Sequence, residues 1–287
     1  MKIYEDLIVG DPHIQEDATE EIDRLFTEVL SYKAKRLIML GDYYTKNRPT
    51  AKEILFGTKW AAIFADTYDE VIFLTGNHTQ VADKVSCIDY LQYLGVHIED
   101  EFTDVINNRF YGHFMLDGSD LAFNTHERKT LDFEGFNRVI LGHQHKFQHI
   151  TPKITHLGSI RRVDFGEVSY EPPQLLAFNA GEEIYLPLST YTPMEICRSI
   201  AQMRDSFRET KLLYVFSSYS QFINEIGEVN KLKDEFIQVK VKLDFTKSNI
   251  EYVKNENKNF NDLLKEFLLT LEEHSRKEIE EIISYEI

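Results

Sequence analysis

The sequence predicts an α/β fold in which two sheets stack face to face with helices outside. This is a four-layer α/β/β/α sandwich, followed by a small α+β cap. Three observations carry the prediction. Short apolar runs alternate with helical patterns through the first hundred residues. From about residue 104 the pattern changes to short strand-like runs. The runs Leu7–Val9, Arg36–Leu40 and Val71–Thr75 each end at a glycine (Gly10, Gly41, Gly76) that opens a polar turn.

The elements follow in order. Asp17–Leu30 sets Ala18, Ile22, Leu25, Phe26, Val29 and Leu30 at helical spacing, and Thr50–Tyr68 and Val85–Leu94 read as further helices. Leu121–Asn124 and Val139–Leu141 read as short strands, each followed by a histidine-bearing turn. Leu175–Phe178 and Glu183–Pro187 flank Asn179-Ala180-Gly181-Glu182, a hairpin turn. A second unit begins near Thr192. There Pro193–Phe207 is helical in composition, Lys211–Phe216 a strand, Gln221–Leu232 an amphipathic helix and Phe236–Phe245 a strand. Lys247–Asn259 is polar and rich in asparagine, and Phe260, Leu263, Leu264, Phe267, Leu268 and Leu271 then share one helical face. The division is a main domain over 1–190, a cap over 191–250, and a linker with a C-terminal amphipathic helix over 251–287.

Composition narrows the function classes. The 287 residues are 43% apolar and 28% charged, an ordinary globular mixture. Two cysteines exclude a disulfide framework and suit a reducing cytoplasm. The sequence shows no membrane-length apolar run and no signal-peptide pattern at its start. The net charge is −16, with 18 basic and 30 acidic residues in 1–190. That balance argues against indiscriminate coating of nucleic acid, and it places the excess negative charge where cations could offset it.

Five short segments put Asp, His or Asn into turns. They are Gly10-Asp11-Pro12-His13, Gly41-Asp42, Gly76-Asn77-His78, Asn124-Thr125-His126 and Gly142-His143-Gln144-His145. Side chains at the carboxyl ends of neighbouring strands can converge on one crevice. Carboxylates with imidazoles suit first-row divalent ions, and the two-residue spacing of Asp11/His13 and His143/His145 lets one turn present both. Asp42 has two oxygens and can bridge two ions, which together can clamp an in-line phosphoryl displacement and acidify a water.

The order D-x-H, GD, GNH, H, GHxH resembles the calcineurin-like metallophosphoesterases. Within them, GDYYTKNRPT (41–50) and HLGSIRRVDFGE (156–167) are similar to segments of the SbcD-type nucleases, which act in DNA break repair and phage recombination. The resemblance covers about 1–190. It implies that Asp11, His13, Asp42 and His145 hold one metal and that Asp42, Asn77, His126 and His143 hold the other. His78 would stabilise the pentacoordinate phosphate or protonate the leaving oxygen. It further implies two divalent ions, most often Mn²⁺, and hydrolysis of DNA as a 3′ exonuclease and single-strand endonuclease. The partners would be DNA and an SbcC-type coiled-coil ATPase, with a homodimer as an option, in the cytoplasm of a bacterial or phage-infected cell. Thr79 and Thr45 depart from the family's usual residues, which bears on metal tuning.

Other readings remain beside this one. The same fold could act on nucleotides, cyclic nucleotides or phosphoproteins, although GDYYTKN lacks the protein-phosphatase form. It could also be a non-catalytic scaffold, although every ligand position is filled. Arg161 and Arg162 are candidates for gripping a phosphate backbone, and Lys46, Arg48, Arg128 and Lys129 lie close to the motif turns. His97, His113, His149, His156 and His274 read as structural or exposed histidines. Tyr43 and Tyr44 read as packing residues. The apolar face of 260–271 could dock on a partner.

Overall fold

The computed structural model describes residues 2–82, 85–119 and 128–244. Residues Met1–Asp244 form one compact unit. The predicted strand at Leu121–Asn124, the linker and the C-terminal helix lie outside the described residues, as does His126.

Strand β1 (Ile3–Val9) leads to helix α1 (Thr19–Ser31), then β2 (Lys33–Met39), α2 (Ala51–Thr67) and β3 (Glu70–Leu74). A small hairpin follows, β4 (Gln80–Ala82) with β5 (Val85–Ser86), then β6 (His97–Glu99). The next strands are β7 (Phe102–Asp104), β8 (Arg109–Gly112), β9 (Arg138–Leu141), β10 (Gln148–Thr151) and β11 (Ile154–His156). β12 (Gln174–Asn179) and β13 (Glu182–Pro187) form the expected hairpin, with Ala180 and Gly181 at positive φ in its turn. The remaining elements are β14 (Met194–Cys197), α3 (Ile200–Asp205), β15 (Lys211–Phe216), α4 (Tyr219–Leu232) and β16 (Gln238–Leu243).

Two sheets form the main body, one in the order β13-β12-β1-β2-β3-β6 and the other β10-β11-β9-β8-β7. Strand alternation explains the stacking. In β1, β2, β3 and β12, Leu7, Val9, Leu37, Met39, Val71, Phe73, Leu175 and Ala177 point to one face. There they meet Ile22, Leu25, Phe26 and Val29 of α1 and Trp60, Ala61 and Phe64 of α2. The alternate residues Ile8, Ile38, Leu40, Ile72, Leu74, Leu176 and Phe178 meet Tyr111 and Ile140 of the second sheet. The outer face of that sheet carries Phe110, Val139, Leu141 and Ile154. Among the described residues it is covered by Phe133 and Phe136, in and just after the 3₁₀ turn Thr130–Phe133, not by an α-helix.

Two local readings are corrected. Val85–Leu94 is not one helix: Val85–Ser86 pairs in the hairpin, and only Asp89–Leu94 winds, as a 3₁₀ helix. The Asp89 carboxylate takes the Ser86 N–H and closes that turn. Pro193–Phe207 divides likewise. Met194–Cys197 pairs in parallel with β15 and buries Met194 and Cys197, and Ser199 then caps α3 through the Gln202 N–H. By contrast α2 begins where expected, with a reciprocal capping box between Thr50 and Glu53.

At the amino-terminal end of β1 a buried ion network joins the sheets. Asp6 accepts hydrogen bonds from Arg36 (2.8 Å) and from Arg109 of the second sheet (2.9 Å), and Arg36 also reaches Asp104 (2.8 Å). The opposite, carboxyl ends of β1, β2, β3, β8 and β9 are left free to carry chemistry.

Candidate metal centre

The turns after β1 and β2 are zipped together by the backbone. His13 N–H donates to the Asp42 carbonyl (3.0 Å), Ile14 N–H to Tyr43 (2.9 Å) and Thr45 N–H to Ile14 (3.1 Å). His13, Asp42 and His143 all adopt positive φ, at 47°, 43° and 75°. Left-handed backbone costs a non-glycine residue on the order of 1 kcal/mol or more. Here that cost falls on three residues whose side chains are aimed into one cleft. Glycine lets the turns close up: a Cβ at Gly76 would lie 2.0 Å from Asp42 Oδ1, and one at Gly142 would lie 2.5 Å from Asp11 Oδ1.

Two three-donor groups result, Asp11–His13–His145 and Asp42–His113–His143, each with its ligand atoms mutually within 4.8 Å. Asp42 reaches both. Its Oδ2 lies 3.2 Å from His113 Nε2 and 3.9 Å from His13 Nε2, while Oδ1 accepts the His78 N–H (2.9 Å). Asn77 Oδ1 sits between His113 Nε2 (3.1 Å) and His143 Nδ1 (2.8 Å). Asp11 Oδ2 accepts the His143 N–H (2.8 Å), whereas Asp11 Oδ1 and His13 Nδ1 are buried without a hydrogen-bond partner. The His13 and His145 Nε2 atoms face each other at 2.8 Å. Orphaned acceptors and facing imidazole nitrogens, in an oxygen and nitrogen donor set, fit a pair of first-row divalent cations. The residues that could hold them are Asp11, His13 and His145 on one side and Asn77, His113 and His143 on the other, with Asp42 between.

The electrostatics agree with this crowding. Burial, with Asp42 nearby, pushes the Asp11 carboxyl up to about 6 against the pull of His113. Burial also acts to raise Asp42, but the His113 hydrogen bond and the surrounding imidazoles hold it at about 2. Burial would lower His113, yet Asp11, Asp42 and the Leu40 carbonyl lift it to about 9. Burial and the neighbouring His113 take His143 down to about 4.

His78 stands beside the groups, exposed, with its ring 5.3 Å from that of His13. The Thr45 carbonyl accepts its Nδ1–H (2.9 Å), which leaves Nε2 free. Thr79 is buried and holds the Gly76 turn through its hydroxyl (2.9 and 3.0 Å). Both threonines that depart from the family pattern thus support the turn that carries His78.

Sequence reading missed two residues. His113, read as structural, lies within the Asp42 group; its only signal was a histidine directly after a glycine that ends a strand. Glu167, within the 156–167 segment, accepts His145 Nδ1–H at 2.6 Å and so leaves Nε2 facing the cleft. One expectation is overturned: Arg161 does not face a phosphate, because it is buried and directed at Glu21 (3.6 Å). Arg162 is half-buried, bonded to the Tyr170 carbonyl (2.8 Å) and 5.5 Å from the Tyr191 ring. Lys46 and Arg48 are exposed on the loop that follows Thr45, while Arg128 is paired with Glu101. His149 is exposed and bonded to Thr155, and His156 is buried between Ser119 and the Gly142 carbonyl. Tyr43 and Tyr44 are buried packing residues, as read from sequence, bonded to the Gly57 carbonyl and to Tyr90.

A profile of the family described as calcineurin-like phosphoesterase matches residues 7–178. No curated protein matches the chain. Among solved structures, the chain is similar to the crystal structure of nuclease MPE from Pseudomonas putida, at 17% identity and a TM-score of 0.33. That likeness covers 63% of this chain and 87% of the other. Among the described residues no helix is long and apolar enough to cross a membrane.

Proposed function

Because the chain belongs to the calcineurin-like phosphoesterase family, whose members are generally metal-dependent hydrolases, we propose that it is a DNA phosphodiesterase. In this reading it is a Mn²⁺-dependent nuclease subunit of the SbcD type, working with an SbcC-type ATPase. The observation that carries the hydrolytic reading is the pair of three-donor groups sharing the reach of Asp42, with His78 beside them. When bound there, divalent cations supply Lewis acidity and draw down the pKa of a water.

The chain's own residues do the rest. Asp42, Asn77 and the imidazoles set the donor positions on stiff, zipped turns, so little reorganisation accompanies binding. His78, with Nδ1–H spent on Thr45, presents Nε2 to the phosphate. As the imidazolium, with a second proton on Nε2, it can pass that proton to the departing oxygen and revert to the neutral ring. Lys46 and Arg48, exposed on the adjoining loop, can meet flanking phosphates of a polymer. This supports a nucleic-acid substrate over a small phosphoester. Among the described residues His113 joins Asp42, Asn77 and His143 as a candidate ligand, and His126 lies outside them.

The test is purified protein with Mn²⁺ on end-labelled duplex and single-stranded DNA, with and without a candidate ATPase, beside cyclic nucleotides and a phosphopeptide. Cleavage of DNA from 3′ ends is expected. Turnover of the small esters or phosphopeptide with none of DNA overturns the substrate assignment, and failure to bind Mn²⁺ by calorimetry returns the scaffold reading.

A further inference from the structure

Residues 158–167 lie against the Asp11–His13–His145 group and hold it at two places. The Ser159 hydroxyl donates to the Asp11 carbonyl (2.6 Å) and its N–H to the His145 carbonyl (3.1 Å). One serine therefore ties the turn after β1 to the turn after β9. Farther on, Glu167 divides its carboxylate: Oε1 takes His145 Nδ1–H and Oε2 takes the Val163 N–H (2.7 Å). The same side chain that orients the imidazole also closes its own loop.

Between these two sits Arg161, buried, with no hydrogen bond to any guanidinium nitrogen and Nε 3.6 Å from Glu21 Oε2. Burying a cation without hydrogen bonds is costly, so the field of nearby carboxylates must hold it. Glu21, Asp17 and Glu167 supply that field, opposing the effect of burial on the guanidinium. Strands β14, β15 and β16 form a three-stranded sheet in that order, and Glu21 is itself held from this three-stranded unit and from the residue that leads into it. Lys211 at the start of β15 donates to Oε2 (2.7 Å), and the Thr192 N–H donates to Oε1 (2.9 Å). The unit touches the far end of the segment as well: β14 packs on the turn Phe165–Glu167, and Lys240 of β16 lies 6.0 Å over the Phe165 ring.

We propose that residues 158–167 form a strap that transmits the seating of the three-stranded unit on α1 to the orientation of His145, with Glu167 and Arg161 as positioning residues. This rests on the metal reading above. Glu167 selects the His145 tautomer and adds basicity at Nε2. Arg161 faces Glu21 and lies in the wider field of Asp17 and Glu167, so loss of Lys211 strengthens the pull of Glu21 on Arg161 within the strap. The unit so far described only as a cap thereby becomes part of what sets one metal site.

The experiment uses the full chain. Mn²⁺ is titrated calorimetrically into wild type, Glu167→Gln, Lys211→Met and, as an exposed-charge control on the same unit, Lys231→Met. ¹⁵N spectra of the metal-free proteins report the histidine tautomers. Two binding events are expected in wild type. Glu167→Gln weakens one by about 10–100-fold and leaves the other unchanged, and it removes the Nδ1–H resonance of His145. Lys211→Met weakens the same event by about threefold or more, and Lys231→Met weakens neither. Glu21→Gln, nearly isosteric, probes the same link if Lys211→Met does not fold. Two events in wild type that Glu167→Gln leaves untouched, or that the Lys211 and Glu21 variants leave untouched or weaken equally, overturn the strap alone. No Mn²⁺ binding by wild type overturns the metal reading and the strap with it.

Discussion

His113 Nε2 lies 3.2 Å from Asp42 Oδ2, and the Leu40 carbonyl accepts its Nδ1–H at 2.8 Å, so Nε2 is the nitrogen that faces the cleft. Its place follows from register. Gly112 of β8 pairs with Leu141 of β9, which sets His113 beside the turn Gly142-His143. His113→Ala is expected to reduce Mn²⁺ stoichiometry from two to one in a calorimetric titration. An unchanged stoichiometry removes His113 from the ligand set.

His78→Ala separates binding from chemistry. Mn²⁺ binding should persist, while cleavage of DNA falls by about 10²–10⁴-fold, the usual share of a general acid. A phosphodiester with a p-nitrophenolate leaving group needs little protonation and should lose far less. An equal loss on both substrates would place His78 in charge stabilisation only.

Gly76→Ala tests the cradle. Its Cβ would stand 2.0 Å from Asp42 Oδ1, so the Asp42 carboxylate must move. Metal should then stabilise the variant much less than wild type. At free Mn²⁺ about 100-fold above Kd, wild type should gain about 2.7 kcal/mol for each occupied site, read as a rise in Tm. A wild-type-sized rise in the variant would show that the carboxylate does not bridge.

Asp104 governs part of the acid limb of stability. Burial acts to raise its pKa, but Asn107 (2.8 Å) and Arg36 (2.8 Å) hold it below the ordinary carboxylate value. A depressed folded pKa contributes stability that is present above the unfolded value of about 4. That contribution is lost as the pH falls through the folded value. Asp6, in the same network, is raised by burial and acts with the opposite sign. Urea unfolding of Asp104→Asn between about pH 5 and 2.5 should therefore show a shallower pH slope than wild type, by up to about one proton. An unchanged slope would remove Asp104 from the acid limb.

Much of this protein was legible without coordinates. The short apolar runs of β1, β2, β3 and β12, the α1 and α2 patterns and the β12–β13 hairpin depend on neighbours within a few residues. So do the turns that carry Asp11, His13, Asp42, Asn77, His78, His143 and His145, and glycine and histidine spacing reports them directly. Val85–Leu94 and Pro193–Phe207 were misread because strands of two and four residues are too short to overcome a flanking helical pattern.

What the chain order could not decide is which strand lies beside which. His113 becomes a candidate ligand only because β8 runs parallel to β9, and Glu167 meets His145 only because the 158–167 segment folds back over it. Arg161 looks like a surface cation in sequence, yet it is buried and directed at Glu21 of α1, which Lys211 of β15 also holds. Local periodicity sets which residues sit on turns. Strand neighbourhood and burial, which arise from pairing distant segments, set which of those residues meet.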